Sequence, residues 1–215
     1  MKSVLTAATV PVGVVIMGYL LGSVPFGFIA GRINGIDIRL FGSHNIGATN
    51  VLRTLGKRWG AAVFVADALK GAMSVGITMF LVRNLGGTGS VRQVYSILAA
   101  AACVVGHSFP LWLKFKGGKG VATSAGAIVA IMPFAAFVVF CVWVVVFHAT
   151  RYVSLASIVG ACALPLTVAI LIHTQPTYGH LLFYFSLAMA TLVVWRHRSN
   201  ISRLINGTEP RFERK

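Results

Sequence analysis

Residues 120–150 read GVATSAGAIVAIMPFAAFVVFCVWVVVFHAT and contain no Asp, Glu, Lys or Arg. Three further charge-free runs cover residues 3–31, 93–113 and 152–195. A helix needs about 20 apolar residues to span a bilayer, so each run is long enough for at least one crossing. The sequence therefore predicts an all-α integral membrane protein with a single transmembrane domain over residues 1–215.

The composition separates this chain from soluble proteins. Hydrophobic residues make up 57% of it and charged residues 11%, whereas soluble domains carry about 25% charged residues. A net charge of +15 would suggest nucleic acid in a soluble chain. In a membrane protein, basic residues flank the cytoplasmic ends of spans and meet anionic head groups. We therefore expect membrane lipid and an anionic substrate as partners, and no nucleic acid.

The cysteines and histidines do not indicate a metal or redox centre. Cys103, Cys141 and Cys162 lie in apolar runs without C-x-x-C spacing, so we expect small buried core residues. No cluster of His, Cys, Asp or Glu has the spacing of metal ligands. We expect neither a metal nor another cofactor.

Hydropathy alone divides the chain into six apolar segments, about 6–30, 60–82, 94–113, 121–148, 153–173 and 178–195. Basic residues concentrate in the 32–58 loop, the 114–119 loop and the tail after residue 195, where they are Arg196, Arg198, Arg203, Arg211, Arg214 and Lys215 against Glu209 and Glu213. The positive-inside rule places all three connections in the cytoplasm. Six simple spans contradict this, because five crossings would separate the first loop from the tail.

Proline 133 resolves the conflict. It follows Met132 near the middle of the long apolar segment, and proline breaks helices because it lacks a backbone donor. We predict two shortened or re-entrant helices there, about 121–131 and 133–149, shielded by other helices as lipid requires. The result is a seven-helix bundle with the N-terminus outside, the C-terminus cytoplasmic and the glycine-rich connections on one face.

The first of these connections, GSHNIGATNVLR at 42–53, is dense in small polar residues. Glycines permit a nest of backbone N–H groups, the polar side chains donate hydrogen bonds, and arginine can grip phosphate with two parallel bonds. An ordinary polar loop is the alternative. The predicted catalytic residues of this segment are Ser43 and Arg53, and the predicted substrate-binding residues are Gly42, Asn45, Gly47, Thr49 and Asn50.

The second connection contains GGKGVAT at 117–123. A Walker A loop would need glycine at position 113 and Ser or Thr after the lysine, but Leu113 and Gly120 stand there. What remains is a glycine loop before a helix N-terminus, where the dipole and free N–H groups favour an anion. The candidate residues are Gly117, Gly118, Lys119, Gly120 and Thr123, with His107 upstream.

Two more polar sets stand out. His197, Asn200 and Arg203 recur at i, i+3 and i+6 and can share a helix face, either as an anion site or as a basic membrane anchor. Asp67 and Lys70 lie inside a span, three residues apart. Charges there are usually paired or functional, and we favour a structural ion pair.

These motifs together resemble a known family. The 42–53 segment, Gly-His-x-x-Pro at 106–110 with the 117–123 segment, and Asn-Ile-x-Arg-Leu-x-x-Gly-Thr-Glu at 200–209 are similar to the three cytoplasmic motifs of bacterial acyl-phosphate:glycerol-3-phosphate acyltransferases, the PlsY family. Asp67-x-x-Lys70-Gly71 and residues 151–154 resemble it too. His44 stands where the family commonly has glycine, which leaves the shape of this turn open.

The resemblance implies acyl transfer from acyl phosphate to the sn-1 hydroxyl of glycerol 3-phosphate in bacterial phospholipid synthesis, at the cytoplasmic face of the inner membrane. It implies that Ser43, Arg53, Lys119, His197 and Asn200 handle phosphate groups, while the glycine loop cradles the acyl phosphate.

Three proton acceptors remain open. His107 is the obvious side-chain base, a purely structural His107 is equally plausible, and the phosphate of the substrate is the third. We favour substrate assistance because no histidine–carboxylate pair is evident in the sequence. No histidine is followed by Asp five residues later, so the His-x-x-x-x-Asp motif of other glycerol-phosphate acyltransferases is absent.

Two other function classes compete. A transporter or channel for phosphate-bearing anions would need polar residues at midplane depth in several spans, and only Asp67 and Lys70 qualify. A thioester-dependent membrane acyltransferase would normally show a buried histidine with a polar partner.

Overall fold

The computed structural model describes residues 2–175 and 177–212, with side chains from residue 9 onward. All regular elements in these ranges are helical, as expected. They are α1 (Lys2–Ser23), α2 (Phe26–Ile33), α3 (Ala48–Leu55), α4 (Lys57–Asn84), α5 (Gly89–Ser108), α6 (Val121–Ile131), α7 (Pro133–Thr150), α8 (Val153–Ile172), α9 (His180–Arg196) and α10 (Arg198–Ile205), with short 3-10 turns at Ile38–Leu40 and Leu111–Leu113. Glu213, Arg214 and Lys215, which entered the charge argument, lie outside the described residues.

Five segments of the described chain are long and apolar enough to cross a membrane: Thr9–Ile33, Lys57–Asn84, Gly89–Leu113, Pro133–Thr150 and Val153–Ile172. The all-α class is confirmed. Helices α6 and α9 are apolar but shorter. The seven-helix count and the orientation of the termini stay predictions.

The predicted break at proline 133 is confirmed, since α6 ends at Ile131 and α7 begins at Pro133. The expectation of two short, shielded helices is wrong for α7. It has 18 residues and only Ala135 of them is buried. A helix that is apolar on all sides can face lipid directly and needs no protein cover.

The first segment, predicted as one helix over 6–30, is interrupted. Helix α1 ends at Ser23 and α2 begins at Phe26 after Pro25. Proline 25 has no N–H to donate to the preceding turn, so the same rule that predicted the break at residue 133 applies here.

The described chain divides into two compact units, Met1–Ile131 and Met132–Lys215. In the first unit, α1 packs on α4 and α5, and α4 also packs on α3, α5 and α6. Glycines allow these close approaches. A Cβ at Gly22 would overlap the backbone of Cys103, and a Cβ at Gly71 would overlap the carbonyl oxygen of Thr123.

These contacts determine where the ends of the neighbouring helices lie along α4. Cys103 lies against Lys70, with its Sγ 3.6 Å from the Lys70 carbonyl oxygen, and Gly71 lies against Thr123. The end of α1, the end of α5 and the start of α6 therefore meet the same two turns of α4.

In the second unit, α7 packs on α8, α8 on α9, and α10 follows α9. The indole nitrogen of Trp143 donates to Ser157 Oγ at 3.3 Å, joining α7 to α8. The expectation of one domain over residues 1–215 stays a prediction.

The three cysteines do not share one environment. Cys103 is buried and free, as expected, but Cys141 and Cys162 are free and exposed on α7 and α8. The prediction that all three are core residues was wrong for these two, because a span exposes apolar side chains to lipid and an apolar run does not distinguish lipid-facing from buried positions.

Candidate active site

The buried side chain of Asn50 holds the loop of the first predicted segment together through hydrogen bonds to its backbone. Its side chain is 1% exposed, and its Nδ2 donates to the carbonyl oxygens of Ile38, Phe41 and Asn45 at 3.1, 3.0 and 2.8 Å. Its Oδ1 accepts from the Ser43 N–H at 2.8 Å. We predicted Asn50 as a ligand donor, but in the structure its amide is occupied by the loop itself.

Two positions of this loop adopt left-handed backbone. Gly42 has φ +57°, and a Cβ there would overlap Asn50 Oδ1. His44 has φ +56°, a conformation that glycine adopts most easily, and its Nδ1 lies 3.0 Å from the Arg39 carbonyl oxygen. The turn therefore keeps a glycine-like shape although histidine occupies it.

Asp37 and Arg39 form an ion pair just before the loop. Arg39 donates to the Asp37 carboxylate through Nε at 2.9 Å and Nη2 at 2.6 Å. These hydrogen bonds lower the pKa of Asp37 to about 2. The pair therefore remains charged throughout the physiological range.

Helix α3 carries the arginine of this segment. It begins at Ala48 directly after Gly47, whose N–H donates to Asn45 Oδ1 at 2.8 Å. Arg53 lies in its second turn and is partly buried, as are Ser43 and Thr49. Gly56, at φ +90°, then reverses the chain so that Leu52 packs on Gly60 of α4.

The glycine loop folds back on the end of α5. The Gly117 N–H donates to the Ser108 carbonyl oxygen at 3.2 Å, and the Gly118 N–H donates to that of His107 at 3.1 Å. A Cβ at Gly117 would overlap the His107 carbonyl oxygen, and a Cβ at Gly118 would overlap His107 Nε2. We expected these glycines to let a ligand approach the backbone closely. The structure shows that the close packing of the loop on α5 also requires glycine at both positions.

Beyond Lys119, which is partly buried, Gly120 has φ +79° and leads into α6. The hydroxyl oxygens of Ser108 and Ser124 lie 3.4 and 3.9 Å from the position of a Cβ at Gly120. Both hydroxyls, and that of Thr123, are buried without a hydrogen-bond partner among the described residues. Buried polar groups normally have partners, so these atoms mark a place for a ligand or water.

The two predicted segments of the first unit share one apolar cluster. Ile46 and Val51 from the first loop and α3 lie in it with Leu113, which precedes the glycine loop. All three side chains are at most 6% exposed. This cluster ties the two connections together.

A buried histidine–carboxylate pair lies beneath the glycine loop. His107 Nδ1 is 3.5 Å from Asp67 Oδ1, which also contacts Lys70 Nζ at 2.7 Å. The predicted Asp67–Lys70 pair is confirmed. The statement that no histidine–carboxylate pair is evident was wrong, because 40 residues separate the partners and no local spacing could reveal them.

The third predicted segment lies in the second unit. Asn200 Nδ2 donates to Glu209 Oε1 at 2.7 Å, Arg203 Nε donates to Glu209 Oε2 at 2.8 Å, and Ser154 Oγ donates to Glu209 Oε1 at 2.7 Å. His197, between α9 and α10, has its Nδ1 2.7 Å from the Val193 carbonyl oxygen. Sequence reasoning missed Glu209, although it closes the motif quoted at 200–209.

Glu209 should stabilise the second unit in a pH-dependent way. Burial raises its pKa, but hydrogen bonds from Ser154, Asn200 and Arg203 outweigh burial and hold the pKa below the ordinary 4.5. A depressed carboxyl pKa contributes stability above its unfolded value, and that stability is lost as the pH falls through the folded value. The melting temperature of the native protein in detergent should therefore decrease as the pH is lowered below about 4.5.

Glu209→Gln should lower stability at pH 7 by about 1–3 kcal/mol, because it leaves buried donors without a charged acceptor. It should also flatten the acid limb of the melting-temperature profile. Asp37→Asn is the control, since that pair lies at the surface and contributes little. An unchanged melting temperature for Glu209→Gln at pH 7 would contradict the assignment.

Among residues 2–175 and 177–212, no group of three or more His, Cys, Asp or Glu is placed to hold a metal ion.

The chain is similar in sequence to known proteins. A family model described as glycerol-3-phosphate acyltransferase matches residues 12–207. Curated proteins named glycerol-3-phosphate acyltransferase are similar along nearly their whole length. That of Desulforamulus reducens is 46% identical over 94% of this chain and 95% of its own. That of Aquifex aeolicus is 39% identical over 92% and 97%.

Two solved structures share the fold. Both are crystal structures of PlsY (YgiH), described as an integral membrane glycerol 3-phosphate acyltransferase. The glycerol 3-phosphate form has a TM-score of 0.83 at 39% identity and covers 94% of this chain and 96% of its own. The lysophosphatidic acid form has a TM-score of 0.80 at 38% identity, covering 94% and 95%.

Proposed function

Because this chain belongs to the glycerol-3-phosphate acyltransferase family, we propose that it transfers a fatty acyl group from acyl phosphate to the sn-1 hydroxyl of glycerol 3-phosphate. The bond between the acyl carbon and the phosphate oxygen breaks as the ester bond forms. The products are lysophosphatidic acid and inorganic phosphate. The observation that carries the proposal is the glycine loop at the start of α6, with Lys119 and unpartnered buried hydroxyls beside it.

The proposed ligand contacts fall into three groups. Lys119, Gly120 and Thr123 receive the phosphate of acyl phosphate, in a loop that Gly117 and Gly118 shape through their N–H bonds to α5. Ser43 and Arg53, supported by Gly42, Asn45, Gly47 and Thr49, hold a second phosphate group, while Asn50 shapes their loop. His197, Asn200 and Arg203 contact glycerol 3-phosphate. Fixed cations and main-chain N–H groups suit both phosphates.

The chemistry requires alignment more than activation. Acyl phosphate is already an activated anhydride, so no covalent enzyme intermediate is needed. Holding the hydroxyl in line with the carbonyl supplies much of the rate, and cations stabilise charge on the carbonyl oxygen and the leaving phosphate.

The hydroxyl proton passes to a substrate phosphate. His107 is 4% exposed, and its Nε2 faces the main chain of Gly118, which leaves little room for a substrate hydroxyl. The burial of His107, rather than the lack of a carboxylate partner, now supports substrate assistance.

The reaction takes place at the cytoplasmic face of the inner membrane, where both substrates meet. The acyl chain lies in the bilayer or between helices. Glycerol 3-phosphate, a soluble dianion, is drawn to a strongly basic surface.

The test is a donor comparison with the purified protein in lipid nanodiscs. Palmitoyl phosphate, palmitoyl-CoA and palmitoyl-acyl carrier protein are each supplied with glycerol 3-phosphate, and phosphate release and lysophosphatidic acid are measured. We expect equal amounts of both products from palmitoyl phosphate only. If lysophosphatidic acid formed from palmitoyl-CoA or palmitoyl-acyl carrier protein but not from palmitoyl phosphate, the protein would be a thioester-dependent acyltransferase. Uptake of glycerol 3-phosphate into proteoliposomes without acyl transfer would identify a transporter.

A further inference from the structure

A group of neighbouring buried acidic and basic side chains in the first unit has no part in the proposed ligand contacts. They are Asp67 and Lys70 of α4 and His107 of α5. We infer that they form a positioning cluster, which holds the glycine loop in the shape that receives the phosphate of acyl phosphate. The inference deepens the proposed function and rests on it.

The cluster is compact and shielded. Lys70 Nζ lies 2.7 Å from Asp67 Oδ1, and the two side chains are 4% and 3% exposed. His107 Nδ1 lies 3.5 Å from the same oxygen, and its side chain is 5% exposed. Taking charges out of water is expensive and is tolerated when partners are close. One carboxylate oxygen of Asp67 therefore lies against both Lys70 and His107.

His107 transmits this constraint to the loop in two ways. Its carbonyl oxygen accepts the Gly118 N–H at 3.1 Å, which fixes the main chain two residues before Gly120. Its ring lies against Gly118 so closely that a Cβ there would overlap Nε2. Moving the ring away from Asp67 therefore moves Gly118, and with it the neighbouring Lys119.

Lys70 anchors the cluster on its other side. Its Nζ donates to the Val24 carbonyl oxygen at 2.8 Å and lies 5.5 Å from the centroid of the Phe26 ring. Val24 belongs to the break between α1 and α2. The cluster thus connects the break between α1 and α2 to α4 and α5. It lies beside the turn of α4 that contacts the start of α6.

The first test compares His107→Ala with His107→Asn in nanodiscs. Asparagine can keep a nitrogen donor at the place of Nδ1, so it preserves the link to Asp67 but cannot accept a catalytic proton. His107→Ala should raise the KM for palmitoyl phosphate about tenfold to a hundredfold, the usual effect of a misplaced binding group. His107→Asn should restore most of the native KM and keep kcat within about threefold of native, far from the loss of a proton acceptor.

Asp67→Asn should raise the same KM, because it removes the charge that holds both Lys70 and His107. Thr78→Val is the matched control. Thr78 is fully buried in the same helix, and its hydroxyl donates to the Ser74 carbonyl oxygen of its own helix at 2.8 Å. It should change the melting temperature without changing the KM.

Several outcomes overturn the inference. A collapse of kcat in His107→Asn with an unchanged KM would make His107 the proton acceptor. An unchanged KM in both His107→Ala and Asp67→Asn, with activity lost only in proportion to the folded fraction, would leave the cluster with a purely structural role.

A binding measurement separates failure of this inference from failure of the proposed function. The affinity for inorganic phosphate, measured by calorimetry on the native protein and the same variants, needs no turnover. We expect the dissociation constant to rise about tenfold in His107→Ala and to stay at the native value in Thr78→Val. If the native protein binds phosphate but does not use palmitoyl phosphate, the proposed function fails while this comparison still decides the inference. Equal affinities in all variants overturn it.

Discussion

We expect Lys119→Ala to lower kcat/KM for palmitoyl phosphate by a factor on the order of a hundred to a thousand. Removing one preorganised donor from a site of developing charge has an effect of this size. Lys119 follows the glycines that fold back on α5 and immediately precedes the turn into α6, so it stands at a helix N-terminus, where an anion is favoured. Arg53→Ala should cause a comparable loss, because arginine grips phosphate with two bonds.

Lys116→Ala is the matched control for this experiment. Lys116 belongs to the same basic connection but is exposed, so its removal should reduce the overall attraction of anions only slightly. Steady-state kinetics at two salt concentrations separate the two effects, since general attraction weakens with salt while loss of a direct contact persists. Normal kinetics in both Lys119→Ala and Arg53→Ala would remove the proposed phosphate site.

The second large effect is expected for Asn50→Asp. The change keeps an acceptor for the Ser43 N–H but replaces the amide nitrogen, which serves three carbonyl oxygens, by an oxygen that repels them. Leaving buried groups unsatisfied beside a charge costs about 3 kcal/mol or more. We expect a markedly lower melting temperature and loss of acyl transfer at neutral pH.

Asn34→Asp provides the comparison for Asn50→Asp. Asn34 is exposed, and its side chain donates to the Ala30 carbonyl oxygen at 2.7 Å. Its replacement should change stability by no more than about 0.5 kcal/mol, as surface changes usually do. Similar losses in the two variants would show that Asn50 does not organise the loop.

The helix breaks show how far local rules reach. Proline predicted the boundary between α6 and α7, because the lack of a backbone donor is a property of that residue alone. Proline alone does not decide where a helix ends, because Pro11 and Pro165 lie inside the continuous helices α1 and α8. The break at Pro25 was therefore not distinguished within the apolar run from residue 3 to residue 31.

The environments of the exposed cysteines lay beyond such rules. Cys141 and Cys162 are exposed on helices whose neighbouring residues are almost all apolar. In a membrane protein both the core and the lipid favour apolar side chains, so hydropathy does not divide buried from lipid-facing positions.

For the candidate site too, residue types predicted the chemistry but not the contacts. Residue types predicted an anion site, because glycine, lysine, arginine and small polar side chains are chemically suited to phosphate wherever they lie. They did not predict that Asn50 builds its loop, that Gly117 and Gly118 pack on α5, or that Asp67 meets His107.

The sequence by itself determined that the chain is helical and membrane-embedded, that proline ends α6, and which segments carry phosphate-binding chemistry. Charge, hydropathy and the missing proline donor are properties of single residues or short runs. Only the tertiary structure decided which polar groups support the loops and which remain available to a ligand. The physical reason is that a buried donor or charge takes whatever partner helix packing brings near it, and that partner can lie 40 residues away, as Asp67 does from His107.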